Sequence, residues 1–219
     1  MKRQMTWLIF WGVAFGMIET AVVIYLRKIY YPNGFAFPII MADFDVALVE
    51  LIRELATLVL MWSLASLLYK KLINKLAVFM FVFGVWDIFY YVFLKLFLDW
   101  PAGIATWDIL FLLPYPWVGP IWAPVLVSIA LIYASIRVLN AHFDDRIITL
   151  QRRDWIQILA AGVVIIISFL IPGRHVIDQT IPQHYPWYIL IAGLVWGLAV
   201  FHYRLNRQIN NVTEKRVGS

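Results

Sequence analysis

The sequence predicts an all-α integral membrane protein: a polytopic bundle of six transmembrane helices in a single domain over residues 1–219. Composition is the first reason. Hydrophobic residues make up 63% of the chain and charged residues only 14%, whereas a soluble domain carries about a quarter charged residues. The second reason is that apolar runs of roughly twenty residues recur along the chain, and this length crosses a bilayer as an α-helix.

Six apolar runs are predicted to be spans, at about 5–26, 46–69, 76–98, 118–139, 155–171 and 187–204. A seventh run, Ile104 to Leu113, is too short to cross a bilayer and is followed by several prolines. Proline removes a helical hydrogen bond and clashes with the preceding turn. We therefore expect residues 100–120 to form a broken segment that dips into the membrane or lies at its interface.

The basic residues predict the orientation. With six spans and both termini in the cytoplasm, thirteen Lys and Arg side chains fall on the cytoplasmic side, and only Arg27, Lys28 and Arg174 fall on the outer side. This bias follows the positive-inside rule. A full crossing by residues 104–113 would instead place the basic loop 140–154 outside. We expect both termini in the cytoplasm and the plasma (inner) membrane as the location.

Several kinds of site are excluded by composition. The chain has no cysteine, which removes disulfides, thiolate catalysis and iron–sulfur ligation. The net charge of +5 arises from bases in short loops beside apolar runs, so we expect no nucleic-acid partner. The four histidines have neither zinc spacing nor a mid-membrane pair for haem. We predict no cofactor and no metal site, with binding of Mg²⁺ or Ca²⁺ by carboxylates alone left open.

Ionisable side chains inside the apolar spans mark the candidate site. Such groups cost several kcal/mol in hydrocarbon unless they are paired, hydrated or protonated. At 1.5 Å per residue, the first two spans place theirs roughly 10–12 Å below the outer end, and the third places its acid about 16 Å below. We expect one shared cluster that opens toward the outer face. Its members are Glu19 on the first span, Glu50, Arg53 and Glu54 along one stripe of the second, and Asp87 on the third, with Lys95 nearer the surface.

The residue types suggest general acid–base chemistry. We predict Glu19, Glu54 and Asp87 as catalytic carboxyl groups. An acid among aromatic side chains can hold a proton at neutral pH, which suits a general acid or a proton-binding step in transport. Buried ion pairs also act as clips between helices, but four acids beside one arginine exceed that need. The predicted substrate-binding residues are Arg53, Glu50, Tyr90, Tyr91, Trp107 and Asp108.

Three functions agree with this pattern. The first is an enzyme that acts on a lipid or isoprenoid-like molecule, with membrane lipids or a hydrophobic small molecule reaching the site laterally. The second is a small proton- or cation-coupled transporter or channel. It ranks lower because the inner leaflet offers no charged residues for a path. The third is a non-catalytic subunit of a larger membrane complex, and an oligomer is equally left open.

Overall fold

The described part of the chain folds into six helices and one short hairpin. The computed structural model describes residues 2–40, 43–112, 115–144, 146 and 148–217, with side chains described as far as residue 205. Each helix contains a stretch that is long and apolar enough to cross a membrane. The helices are α1 (Lys2–Tyr30), α2 (Phe44–Leu68), α3 (Leu72–Leu98), α4 (Trp122–Phe143), α5 (Arg152–Ile177) and α6 (Trp187–Val217).

The helices follow the predicted apolar runs, and most of them begin or end several residues from the predicted bounds. The fourth span was predicted to begin at about residue 118, whereas Trp117–Pro120 is a strand and α4 begins at Trp122. The fifth helix continues past Pro172 to Ile177, whereas the prediction ended it at residue 171. Proline is tolerated inside a membrane helix because neighbouring groups can satisfy the freed carbonyl.

The Pro-rich segment forms a β-hairpin, a structure that the sequence analysis did not anticipate. Strand β1 (Trp107–Phe111) pairs antiparallel with β2 (Trp117–Pro120), so that Asp108 lies opposite Gly119. Two paired strands satisfy part of each other's backbone, which a broken helix does not achieve in apolar surroundings. We call residues 107–112 and 115–120 together the hairpin. Its depth relative to the lipid stays a prediction.

Helix α3 is the centre of the bundle, and α1, α2 and α4 all pack on it. Glycine allows α1 to approach α3 closely, because a Cβ added at Gly12 would lie 2.8 Å from Val85. On α6, a Cβ at Gly193 would lie 3.0 Å from the carbonyl oxygen of Ala161 on α5. The two GxxxG patterns at 12–16 and 193–197 therefore serve packing within the chain.

The bundle has two unlike halves. We call the half in which α1 begins and α6 ends the terminal half, and the opposite half, which carries the hairpin, the hairpin half. The terminal half is filled by the largest cluster of buried apolar side chains. That cluster is Leu8, Met61, Ala65, Ala77, Val78, Phe81, Val82, Val85, Trp86, Val138, Leu139, Phe201 and Leu205.

A seam separates α1 from α2. Both helices pack on α3 rather than closely on one another. In the terminal half, a groove of about 720 Å³ lies along this seam, between Trp7 and Trp11 of α1 and Leu64 and Leu68 of α2. In the hairpin half, a second cavity lies along the same seam. Both cavities therefore lie between α1 and α2.

The hairpin rests on α5 at Gly173, which gives a test of its docking. A Cβ at Gly173 would overlap the carbonyl oxygen of Pro116 and lie 2.8 Å from the ring of Tyr115. Gly173→Ala must therefore push the hairpin away from α5. We expect a loss of stability on the order of 1–3 kcal/mol, measured as a lower midpoint of thermal unfolding in detergent.

Gly162→Ala is the matched control on the same helix. Among the described residues, nothing lies within 4 Å of a Cβ at Gly162, and alanine favours a helix by about 1 kcal/mol over glycine. This variant should unfold at or above the wild-type midpoint. Equal midpoints for the two variants would mean that the hairpin is not held against α5 in this way.

Candidate functional site

A cavity of about 430 Å³ lies in the hairpin half, between α1, α2 and α3 and against the hairpin. Apolar side chains from the hairpin and from the loop after α1 form much of its wall, including Phe35, Ile40 and Phe111. The cavity brings together every predicted site residue except Trp107. Its polar lining includes Glu19, Arg27, Glu50, Arg53, Glu54, Asp87, Tyr90, Tyr91 and Asp108.

Arg53 joins α1 to α2 across the seam. Its Nε donates to an oxygen of Glu50 at 2.8 Å, and Nη2 pairs with the other oxygen of the same carboxylate. Its Nη1 forms an ion pair with Glu19 on α1. One guanidinium thus bridges two carboxylates, as its planar fork of donors allows. This arrangement clips the helices together and also holds both carboxylates at the cavity wall.

Glu54 connects α2 to the hairpin. Its two carboxylate oxygens accept from the backbone N–H of Leu112 at 2.9 and 3.1 Å, and its side chain is buried. A backbone N–H donor stabilises negative charge on a carboxylate. The end of strand β1 therefore orients this acid toward the cavity.

Asp87 has a different environment. Its Oδ2 accepts from the Ser128 hydroxyl of α4 at 2.8 Å, and both side chains are buried. In the part of the chain that the structure describes, no ion pair involves Asp87. Trp86 and Tyr90 line the cavity beside it. Asp87 is thus a carboxyl group with a neutral partner in aromatic surroundings.

Arg27 is a site residue that sequence reasoning missed. Its Nη2 donates to Asp108 of the hairpin at 2.8 Å, and its guanidinium carbon lies 3.7 Å from the ring centroid of Trp100 and 4.4 Å from that of Phe35. The position of Arg27 at the end of an apolar run predicts an outer-loop charge, because bases at helix ends usually reach toward water. A signal was present, since Arg27 lies eight residues after Glu19 and therefore near the same helix face.

Asp108 is enclosed by the hairpin, with a side chain only 1% exposed. Burial raises the pKa of the Asp108 carboxyl to about 6, although the positive charge of Arg27 acts in the opposite direction. Removing a carboxylate from water costs more than one ion pair returns, unless further hydrogen bonds are made. The Arg27–Asp108 pair is therefore ionised at neutral pH, and the Asp108 carboxyl takes up a proton below about pH 6.

The carboxyl groups converge on one cavity, and they are held there by different partners. Arg53 holds Glu19 and Glu50, Leu112 donates to Glu54, and Ser128 donates to Asp87. Five carboxyl groups and two guanidinium groups line the space. If every acid were ionised, negative charge would exceed positive charge by three. Such an excess in apolar surroundings favours bound protons or a positively charged group.

Two predicted members of the cluster lie apart from it. Trp107 packs against Tyr185, with ring centroids 6.2 Å apart, so its side chain is directed away from the other predicted residues. Lys95 pairs with Asp99 at 2.7 Å and is half exposed. This agrees with the prediction that Lys95 lies nearer the surface. Within the described residues, no group of three His, Asp or Glu side chains is arranged to hold a metal ion.

Comparison with protein-family models, with curated proteins and with solved structures finds no match to this chain.

The raised pKa of Asp108 predicts a pH-dependent stability. The folded protein keeps a proton on this carboxyl up to about pH 6, whereas the unfolded chain releases it near pH 4. Stability should fall as pH rises through this window, by up to roughly 3 kcal/mol from this group. We expect the unfolding midpoint of the wild type in detergent to drop between pH 4 and pH 6.

Asp108→Asn should flatten this pH profile, because asparagine does not titrate. Asp99→Asn is the matched control. Asp99 is exposed and caps α3 with a φ of 50°, a conformation that asparagine adopts readily. It should keep the wild-type slope. An unchanged slope in Asp108→Asn would show that other carboxyl groups cause the dependence.

Proposed function

We propose that this protein is an integral membrane enzyme that acts on a lipid or isoprenoid-like substrate by general acid–base chemistry. One observation carries the proposal: carboxyl groups in unlike environments line a single cavity along the α1–α2 seam, and this cavity ends at the apolar cluster of the terminal half. Pairs of acids with different surroundings are typical of sites that divide the acid and base roles.

Glu54 is our choice for the base. Its carboxylate accepts from the Leu112 N–H, which stabilises the charged form needed to accept a proton. Asp87 is our choice for the acid, because its partner is a neutral hydroxyl. In the proposed reaction, Glu54 takes a proton from one atom of the substrate and Asp87 gives a proton to another.

The remaining groups would stabilise charge during the reaction. Glu19 and Glu50 are held by Arg53, and the faces of Trp86 and Tyr90 line the same space. Carboxylates and aromatic faces both favour positive charge. The site therefore suits a substrate on which positive charge develops in the transition state, such as a protonated double bond.

Substrate access would be lateral. The seam between α1 and α2 is lined by apolar side chains at both ends of the bundle, so a long hydrocarbon chain can lie along it while its polar end reaches the carboxyl groups. We also infer that the hairpin half faces the outside and that both termini are cytoplasmic in the plasma (inner) membrane. The thirteen-to-three distribution of basic residues supports this orientation.

Transport is the second candidate, because the excess of acids favours binding of protons or cations. A transporter needs access from both sides of the membrane. In this chain Met61, Phe81 and Val82 belong to the apolar cluster of the terminal half and are almost completely buried. Opening a path would separate the best-packed part of the bundle, so we rank transport below catalysis.

The test uses a total lipid extract as the source of substrate. Wild-type protein in detergent is incubated with this extract, and its products are compared by mass spectrometry with those of Glu54→Gln and Asp87→Asn. Each variant removes a proton-transfer group while nearly keeping its volume. We expect turnover to fall about 10²- to 10⁴-fold in each variant.

Asp99→Asn is the control, since Asp99 is an exposed carboxylate outside the cavity. It should keep wild-type turnover. Full activity in both cavity variants would disprove the assigned roles. Absence of any lipid change with wild-type protein, together with proton uptake into proteoliposomes that Asp87→Asn abolishes, would favour the transporter.

A further inference from the structure

The groove of the terminal half is an open apolar space on the α1–α2 seam. Its volume is about 720 Å³, and α1 and α2 pack on α3 rather than closely on one another. Leu8 lines the groove as a buried member of the terminal cluster, and Trp7, which also lines it, is 65% exposed. Packed apolar structures leave few empty spaces of this size, so in a membrane an apolar molecule has to fill the groove.

The dimensions of the groove match one lipid acyl chain. Its α1 wall runs from Arg3 through Trp7 to Trp11 at four-residue spacing, which is one face of the helix. At 1.5 Å per residue this wall is about 12 Å long, close to the hydrocarbon depth of one leaflet, about 15 Å. Leu64 and Leu68, one turn apart on α2, form the opposite wall. An acyl chain parallel to the helices fits between the two walls.

One end of the groove is polar and positively charged. Arg3 and Gln4 line this end. The Tyr69 hydroxyl donates to Gln4 Oε1 at 3.1 Å, which fastens the α2–α3 turn to the first turn of α1. Exposed bases from both elements therefore lie near this end of the groove: Lys2, Arg3, Lys70 and Lys71.

In the part of the chain that the structure describes, no carboxylate forms an ion pair with these four bases. The first turns of α1 and α3 contain no acid, although the helix dipole favours one there. Asp144 and Asp154 lie at the same end of the bundle, but they pair with Arg146 and Arg204. An anion from outside the protein would supply the negative charge that these bases lack.

The apolar groove and the bases together select one kind of occupant. A second copy of the chain, placed on the groove by two-fold symmetry, would bring two sets of four bases together, and like charges repel. A lipid without net charge would fill the apolar part and leave the bases unpaired. A phospholipid with an anionic headgroup complements both parts, as basic pockets between membrane helices do for such headgroups.

We infer that the groove of the terminal half binds one anionic phospholipid, whose acyl chain lies between α1 and α2 and whose phosphate pairs with Arg3 and the neighbouring bases. The site lies in the opposite half from the carboxyl-lined cavity and uses none of its acids. The inference therefore succeeds or fails independently of the proposed function. A lipid in this position would join α1 to α2 where the protein leaves a gap.

The test compares two phospholipids with identical dioleoyl chains, phosphatidylglycerol and phosphatidylcholine. Each is titrated into the purified full chain in dodecylmaltoside, and native mass spectrometry counts the bound lipids and gives their affinity. One base near an anionic headgroup contributes a factor of about five in affinity. We expect one phosphatidylglycerol to bind about tenfold or more tightly than phosphatidylcholine, and to raise the midpoint of thermal unfolding.

Lys2→Gln combined with Arg3→Gln tests the charges. We expect about tenfold weaker binding of phosphatidylglycerol and little change for phosphatidylcholine. Arg152→Gln combined with Arg153→Gln is the matched control. These two exposed bases begin α5 at the same end of the bundle, form no ion pair among the described residues and do not line the groove. The control removes the same charge and should keep the wild-type preference.

Leu68→Trp tests the groove without changing the charge. The larger indole would occupy the space between α1 and α2, so the tightly bound phosphatidylglycerol should be lost. Leu67→Trp is the control, because Leu67 is 85% exposed and does not line the groove. It should bind the lipid as the wild type does.

Four results would overturn the inference. Equal binding of the two lipids by the wild type would show that charge does not select the occupant. Equal losses in the two charge variants would show a general attraction to the basic surface. Tight binding that persists in Leu68→Trp would place the lipid outside the groove. A dimer in the native mass spectrum that Leu68→Trp dissociates would assign the groove to a second copy of the chain.

Discussion

The cost of an ionisable group in hydrocarbon is the constraint on which the rest of this structure depends. Such groups in the hairpin half have to find partners, and several of those partners lie on another element. Arg53 reaches from α2 to Glu19 on α1, Glu54 accepts from the hairpin backbone, and Arg27 pairs with Asp108. Satisfying these groups draws α1, α2 and the hairpin around one space, so the contacts that stabilise the fold also build the cavity.

The contrast between a closed apolar half and a half with a polar cavity supports the proposed function. The terminal half is filled by interdigitated apolar side chains such as Met61 and Phe81, and interiors of this kind do not open without a large loss of packing. Polar groups are concentrated in the hairpin half, where the packing between α1 and α2 is open. A cavity that combines carboxyl groups with apolar side chains beside this closed half is the basis of the proposed chemistry on an amphiphile.

The hairpin shows why part of the site was not predictable. Local hydropathy indicated only a short apolar run interrupted by prolines, which says that a long helix is disfavoured there. Trp107–Phe111 and Trp117–Pro120 are close in sequence, but their hairpin packs on α5, which is distant in sequence and leaves room for Pro116 at Gly173. Those contacts orient Trp107 away from the cavity and bring Asp108 and the Leu112 N–H to it.

By itself the sequence determined the class of protein, the six apolar helices and the carboxyl groups that lie within them, because hydropathy and helical spacing are local properties. Only the tertiary structure decided which partner each carboxyl group has, that Arg27 is buried rather than in water, and that the broken segment is a hairpin. The physical reason is the same in each case. A charged residue in an apolar helix indicates that a partner is needed. Which residue becomes that partner depends on packing between elements that are far apart in the chain.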